Sequence, residues 1–362
     1  MKIIGLIDGL GLGGAQRQLI GLTKGLSEKG HPVQLVYYDP SHFYLETVKT
    51  AEINYKYLEA PQRKFGKLFT VFGYMNRQTP DCIITYMDGA AILCCLYKII
   101  HPRIKVIVSE RNTTQKLNTR ARIQFFLYRF ADLIISNSHA QQRFITEQYP
   151  NLNHKTVTIT NFTDTEHFAP NPIIVDRPCP VILTVGRIAP QKNVLNYMRA
   201  IVLVRKKSSK PFKIRWVGNI ADKRYYETCI RLIQELHIGD IFEFGAQTTS
   251  IIDEYHACDI FCLPSLYEGF PNVLCEAMAC GLPVMCSNIC DNANIVDSGV
   301  NGFLFDPESI ESISLTLIRY LEMPVDKRRE IGAENRRAAL KKFSYESFID
   351  QYIFNIRNVM GK

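Results

Sequence analysis

Short runs of apolar, often β-branched residues alternate with longer stretches whose apolar positions recur every three or four residues, from one end of the chain to the other. The short runs read as buried strands and the longer stretches as amphipathic helices. In the first half the strand candidates are KIIGLI (2–7), VQLVYY (33–38), CIITYM (82–87), KVIVSE (105–110), LIISNS (133–138) and TVTIT (156–160). A proline-rich stretch, FAPNPIIVDRPCP (168–180), interrupts the alternation. A second series follows: VILTVG (181–186), KIRWVG (213–218), IFEFG (241–245), IFCLPS (260–265) and PVMCS (283–287). The tail YESFIDQYIFNIRNVMGK (345–362) carries a helical apolar stripe. Strands almost without polar residues suit parallel sheets covered by helices on both faces. The pattern therefore predicts an α/β protein of two doubly wound, Rossmann-like domains facing an interdomain cleft. Their expected extents are 1–168 and 181–343, with a linker at 169–180 and a final helix at 344–362 that packs back on the first domain. In such folds ligands are expected beyond the carboxyl ends of the strands.

At 362 residues, with 46% hydrophobic and 22% charged positions, the chain suits two packed domains and excludes a disordered or fibrous class. The start MKIIGLIDGL lacks a signal-peptide core, and AAILCCLYKII is too short to span a bilayer. The eleven cysteines include no C-x-x-C pair and no matching histidines, so they read as reduced core thiols of a cytoplasmic protein rather than metal ligands. The net charge of +8 is uneven: residues 61–130 hold twelve Lys or Arg against three Asp or Glu. That local excess suggests an anionic partner.

Three stretches are candidates for holding phosphate. In IDGLGLGGAQRQL, Gly9, Gly11 and Gly14 satisfy G-x-G-x-x-G, and Asp39 ends the next strand as a ribose-binding acid would in an NAD site. The same glycines equally suit a turn that lets a helix pack closely on its sheet. In VILTVGRIAPQKN a strand ends at Gly186, and Arg187 and Lys192 follow in the loop. A forked guanidinium and a point-charge ammonium suit a diphosphate leaving group, although two cations after a strand are often only solvated. In SLYEGFPNVLCEAMACGLPV, Glu268 and Glu276 stand eight residues apart around a Gly-Phe-Pro turn. Pro271 suits the first helical turn and Gly281 the position just past the helix end. Free N–H groups at Asn272 to Leu274 would point at a ligand, with Glu276 reaching back towards a ribose diol and Glu268 lying towards a sugar. The alternative is that Glu276 complements the helix dipole and Glu268 is solvated.

The run GRIAPQKN … WVGN … IFEFGA … YHACDIFCLPSLYEGFPNVLCEAMACGLPV … DSGVNGFLFDP resembles the retaining glycosyltransferases of family 4, which have the GT-B fold. The E-x7-E spacing of Glu268 and Glu276 is the centre of the likeness, and GLGGAQRQL, SNS and ITNFTDTEHF extend it through the first half. The resemblance implies a metal-independent transferase without a cofactor, whose donor is a nucleotide sugar, a UDP-sugar on family frequency. By the same resemblance Arg187, Lys192 and Glu268 are catalytic. Arg187 and Lys192 would hold the diphosphate, Glu276 the ribose and Glu268 the sugar hydroxyls. Backbone amides of Gly269, Phe270, Asn272 and Val273 would face phosphates and sugar, and Gly13 and Gly14 would admit the donor. Gly186 would end the phosphate strand, and the strand end EFGAQ, with Gly245, would border the nucleobase. Many family members carry a His after the strand VIVSE; this chain has Glu110, Arg111 and Asn112, an acceptor-side candidate set.

The basic segments PQRKFGKLFTVFGYMNR (61–77) and QKLNTRARIQFFLYRF (115–130) interleave cations with Phe, Tyr and Leu. They read either as ordinary solvated helix faces or as a surface for anionic lipid and a saccharide or polyprenyl-pyrophosphate-linked acceptor. No nucleic-acid motif accompanies the charge, so nucleic acid is not expected as a partner. The expected location is peripheral, on the cytoplasmic face of a membrane. Three other readings stay open: a nucleotide-sugar 2-epimerase of similar architecture, an NAD-dependent oxidoreductase built on the first glycine loop, and a catalytically silent nucleotide-sugar binding protein.

Overall fold

A computed structural model describes residues 1–61, 65–115, 117–172, 177–246, 248 and 250–361. Parts of the expected basic segments (62–64, 116), of the linker (173–176) and of the nucleobase-bordering strand end (247) lie outside the described residues. The chain divides into two units, Met1–Phe162 with the residues from Glu346 onward, and Thr163–Tyr345. The division falls a few residues before the expected 168 because Arg336 of the second unit donates to the carbonyls of Thr165 and Phe168, at 2.8 and 3.0 Å.

Unit 1 runs β1 (Ile3–Ile7), α1 (Gly14–Glu28), β2 (Val33–Tyr37), α2 (Leu45–Thr50), β3 (Tyr55–Tyr57), α3 (Gly66–Gln78), β4 (Cys82–Tyr86), α4 (Asp88–Ile100), β5 (Lys105–Glu110), α5 (Thr119–Leu127), β6 (Leu133–Ser136), α6 (His139–Gln148) and β7 (Thr156–Thr158). Its seven strands are all parallel, in the order β3-β2-β1-β4-β5-β6-β7. Every residue of β1 and β4 is buried, as their almost wholly apolar sequence requires of central strands covered on both faces.

Unit 2 runs β8 (Val181–Val185), α7 (Val194–Lys207), β9 (Lys213–Val217), α8 (Lys223–Glu235), β10 (Phe242–Gly245), α9 (Ile251–His256), β11 (Ile260–Leu263), α10 (Asn272–Ala279), β12 (Val284–Ser287), α11 (Asn292–Ile295), β13 (Gly302–Phe305), α12 (Ile310–Leu321) and α13 (Val325–Lys342). Its six parallel strands follow the order β10-β9-β8-β11-β12-β13. The last helix, α14 (Tyr345–Met360), belongs to unit 1, as expected. It buries Phe348, Ile349, Tyr352 and Ile356, and the Tyr352 hydroxyl lies 2.9 Å from that of Tyr86 on β4.

Both sheets are doubly wound. The chain runs outward from one central strand, then returns to start again on its other side. Between β1 and β4, and between β8 and β11, the connections leave in opposite directions, which is where folds of this kind bind ligands at the carboxyl edge. Nine of the eleven cysteines are buried, and burial pushes the Cys82 and Cys262 thiols up to about 12, far from a reactive range.

Candidate functional site

The switch point of unit 2 gathers the C-terminal candidates. β8 leads into Gly186, whose carbonyl accepts from the Trp216 indole at 2.9 Å. A Cβ on Gly218 would stand 2.2 Å from that same oxygen, so the loops after β8 and β9 meet at a distance only glycine allows. The β8 loop then closes through a 3₁₀ turn at Pro190–Lys192. Asn193 follows at φ 61° and donates from its side chain to the Pro307 carbonyl at 2.7 Å.

The loop after β11 is stitched to this one. Leu266 N–H donates to Gln191 O at 2.8 Å, and Gln191 Nε2 donates to Tyr267 O at 2.8 Å. The stitching brings Lys192 Nζ to 2.6 Å from Glu268 Oε1, and both side chains are buried. The two residues expected on diphosphate and on sugar therefore neutralise each other in the free protein. Arg187 stays exposed and reaches Gln191 Oε1 at 3.3 Å.

Glu268 leads through Gly269 and buried Phe270 to α10. Pro271 immediately precedes the helix rather than occupying its first turn, and Gly281 at φ 73° ends it as expected. The first turn is tighter than expected: Asn272 N–H donates to Phe270 O at 2.9 Å and Leu274 N–H to Pro271 O at 3.0 Å. Those two amides are satisfied internally instead of presented to a ligand, because the Phe-Pro turn folds its carbonyls under the helix start. Glu276 is only 5% exposed, and its Oε2 accepts from the Tyr255 hydroxyl at 3.0 Å. Tyr255 escaped the sequence reading because a tyrosine in the run YHACDIF reads as core. Gly245 ends β10 against Arg215, which grips Glu254 through two bonds of 2.6 and 2.8 Å.

In unit 1 the glycine loop is zipped onto the loop after β2. Leu10 N–H donates to Ser41 O at 2.9 Å and Tyr44 N–H to Leu10 O at 3.0 Å. Gly13 caps α1 and Gly14 begins it. Asp39 is ion-paired with Lys67, so the acid that suggested an NAD ribose already has a cation. At the end of β5, Glu110 is buried and accepts from Tyr128 at 2.8 Å and Gln124 at 2.9 Å. Burial, then the nearby Asp88 charge, push its carboxyl up to about 7 against the pull of those hydrogen bonds. Arg111 points inward, 4.2 Å over the Tyr86 ring, and donates to Asn161 Oδ1 and the Tyr352 hydroxyl, each at 2.6 Å. Its guanidinium ties β4, β5 and α14 together. Of the acceptor-side set only Asn112 is exposed. Among the described residues no three His, Cys, Asp or Glu side chains form a metal-binding group, and no helix is long and apolar enough to cross a membrane.

Two doubly wound parallel-sheet units in one chain are the architecture of the GT-B glycosyltransferases. Residues 168–338 match the family described as Glycosyl transferases group 1, and residues 12–167 match Glycosyltransferase Family 4. An uncharacterized glycosyltransferase of Haemophilus influenzae is 24% identical, covering 83% of this chain and 84% of its own. The Campylobacter jejuni N-acetylgalactosamine-N,N'-diacetylbacillosaminyl-diphospho-undecaprenol 4-alpha-N-acetylgalactosaminyltransferase is 26% identical over 80% of this chain and 81% of its own. The Escherichia coli UDP-Gal:alpha-D-GlcNAc-diphosphoundecaprenol alpha-1,3-galactosyltransferase is 32% identical over 51% of this chain and 49% of its own. Among solved structures, Anabaena Alr3699/HepE in complex with UDP and glucose superposes with a TM-score of 0.85 at 20% identity, covering 99% of this chain and 100% of that one. The chain belongs to the GT-B glycosyltransferases of the family 4 kind. That assignment displaces the oxidoreductase, epimerase and silent-binder readings.

Proposed function

We propose that this enzyme is a retaining, metal-independent transferase that moves a hexose or N-acetylhexosamine from a nucleotide sugar, with UDP as the favoured nucleotide. The acceptor is a saccharide or a polyprenyl-diphosphate-linked saccharide. The observation that carries the reading is the meeting of Lys192 and Glu268 at the β8/β11 switch point, with Glu276 one helix turn past the start of α10. In this scheme Lys192 and Arg187 stabilise the charge that develops on the departing nucleoside diphosphate. Glu268, released from Lys192, accepts from the sugar hydroxyls, and Glu276 accepts from the ribose. The bond from the anomeric carbon to the diphosphate oxygen breaks. The acceptor oxygen bonds that carbon on the same face, and its proton passes to the leaving diphosphate.

The names of the Escherichia coli and Campylobacter jejuni relatives, each with a diphosphoundecaprenol acceptor, support a lipid-linked acceptor here. The galactosyltransferase name and the UDP-bound Anabaena structure support UDP. An anionic membrane face suits the surface of α3 and α5, where Phe69, Ile123 and Phe126 are exposed and Arg129 lies 3.9 Å over the Phe126 ring. Incubation with labelled UDP-sugars, GDP-sugars and polyprenyl-diphosphate-linked saccharides, with and without EDTA, tests the scheme. The expected product keeps the donor's anomeric configuration in EDTA. An inverted product, or transfer that requires added metal, overturns it. Co-sedimentation with phosphatidylglycerol vesicles should be lost as salt rises; failure to sediment at low salt refutes the membrane assignment.

A further inference from the structure

We infer that Tyr255 is a positioning residue for donor recognition: its phenol fixes the Glu276 carboxylate in the orientation that reads the ribose hydroxyls. The inference rests on the proposed role of Glu276. Tyr255 comes from α9, a different element from the helix that carries Glu276, and is fully buried. Its hydroxyl lies 3.0 Å from Glu276 Oε2 and 3.1 Å from the carbonyl of Val273, one turn earlier on α10. A phenol has one proton. Between a neutral carbonyl and a carboxylate, the charged acceptor makes the shorter and stronger bond.

The ring is fully buried between two aromatic neighbours. Phe168 packs edge-on at 5.8 Å and Phe261 lies at 5.9 Å between centroids. A fixed ring holds the phenol oxygen still, and the phenol in turn holds Oε2. One fixed carboxylate oxygen sets the plane of the group and thus the direction in which the other faces. A glutamate has three rotatable bonds before its carboxylate, so reading a diol at a defined place calls for such an outer partner, much as metal ligands are oriented by the groups behind them.

The test is nucleotide binding to the full chain by calorimetry, using UDP and GDP alongside their 2′,3′-dideoxy counterparts. The wild type is expected to prefer the tighter-binding ribonucleotide over its dideoxy form by at least about tenfold, since a site built around hydroxyls rejects ligands that lack them. E276Q should abolish that preference. Y255F should reduce it to within a few-fold while leaving dideoxynucleotide affinity unchanged, and the double variant should match E276Q alone. In transfer assays Y255F should raise KM for the donor with kcat nearly unchanged. Full hydroxyl preference in Y255F, where E276Q has lost it, overturns the role of Tyr255 and leaves the ribose reading standing. Indifference to the hydroxyls in the wild type, preference surviving in E276Q, or no binding of either nucleotide overturns the ribose reading and this inference with it. Should Y255F fail to fold, E276D, which withdraws the carboxylate from the phenol but keeps its charge, should lose the preference as E276Q does. Its retention overturns the inference.

Discussion

Replacing Glu268 with Gln should tighten the binding of a bare nucleoside diphosphate while destroying turnover. In the free protein Lys192 Nζ and Glu268 Oε1 are 2.6 Å apart, with side-chain exposures of 11% and 9%. At that separation, and at the effective dielectric that suits protein ion pairs, the gross Coulomb attraction is about 6 kcal/mol. Much of it offsets the desolvation of the two charges, and breaking such a pair by removing one partner costs about 3–5 kcal/mol because the other charge is left buried and unpaired. A glutamine amide still accepts one hydrogen bond from Lys192, so Glu268→Gln should lie near the lower end. An incoming diphosphate supplies the missing negative charge. If it returns about half of that loss, roughly 1.4 kcal/mol, the nucleotide binds about tenfold tighter to the variant than to the wild type. The assay is paired calorimetry and thermal melting with UDP and GDP. The variant alone should melt lower than the wild type, and saturating nucleotide should narrow the gap. Transfer should fall by two orders of magnitude or more, since the sugar hydroxyls lose their charged acceptor. Nucleotide affinity that is equal or weaker in Glu268→Gln would refute the idea that Glu268 is the resident counter-ion of Lys192.

Three further outcomes follow from the geometry. Glu110 titrates near 7 in the fold against 4.5 for an ordinary glutamate, so between those values the folded state holds more protons than the unfolded chain and stability falls as pH rises. The fall should amount to at most about 3 kcal/mol and level off above pH 7; melting curves from pH 4.5 to 8 should show it in the wild type and not in Glu110→Gln. Gly218→Ala puts a methyl group 2.2 Å from the Gly186 carbonyl and should cost about 3 kcal/mol or more, read as a melting temperature several degrees lower. Arg111→Met removes the tie from Tyr86 and Asn161 to Tyr352, so hydrogen exchange along α14 should accelerate while nucleotide binding to unit 2 is unchanged.

Much of the fold was legible because buried parallel strands have to be almost wholly apolar, as Ile3–Ile7 and Cys82–Tyr86 are. The two strands not foreseen, Tyr55–Tyr57 and Gly302–Phe305, are three and four residues long and lie at sheet edges. The proposed donor-side residues announced themselves through local spacing: a helix start, a glycine stop at Gly281, one acid before the helix and one within it. What spacing could not carry was pairing across elements. Lys192 and Glu268 are 76 residues apart and meet only because Gln191 binds both Leu266 and Tyr267. Arg111 entered the acceptor-side set because Glu110, Arg111 and Asn112 stand where many family members carry a His; the phenols that draw it inward come from β4 and α14. The internal satisfaction of the Asn272 and Leu274 amides depends on where Phe270 and Pro271 turn their carbonyls, which no residue pattern encodes.

The central claim is that the β8/β11 switch point holds a nucleoside diphosphate through Lys192. The most direct measurement is the melting temperature of the wild type and of Lys192→Met with UDP, GDP, ADP and NAD, each without added metal. A ligand at a hundred times its dissociation constant stabilises by about 2.7 kcal/mol, enough to move the transition by several degrees. UDP, or failing that GDP, should shift the transition of the wild type, and the shift should disappear in Lys192→Met. A shift with NAD alone, or one that survives loss of Lys192, would contradict it.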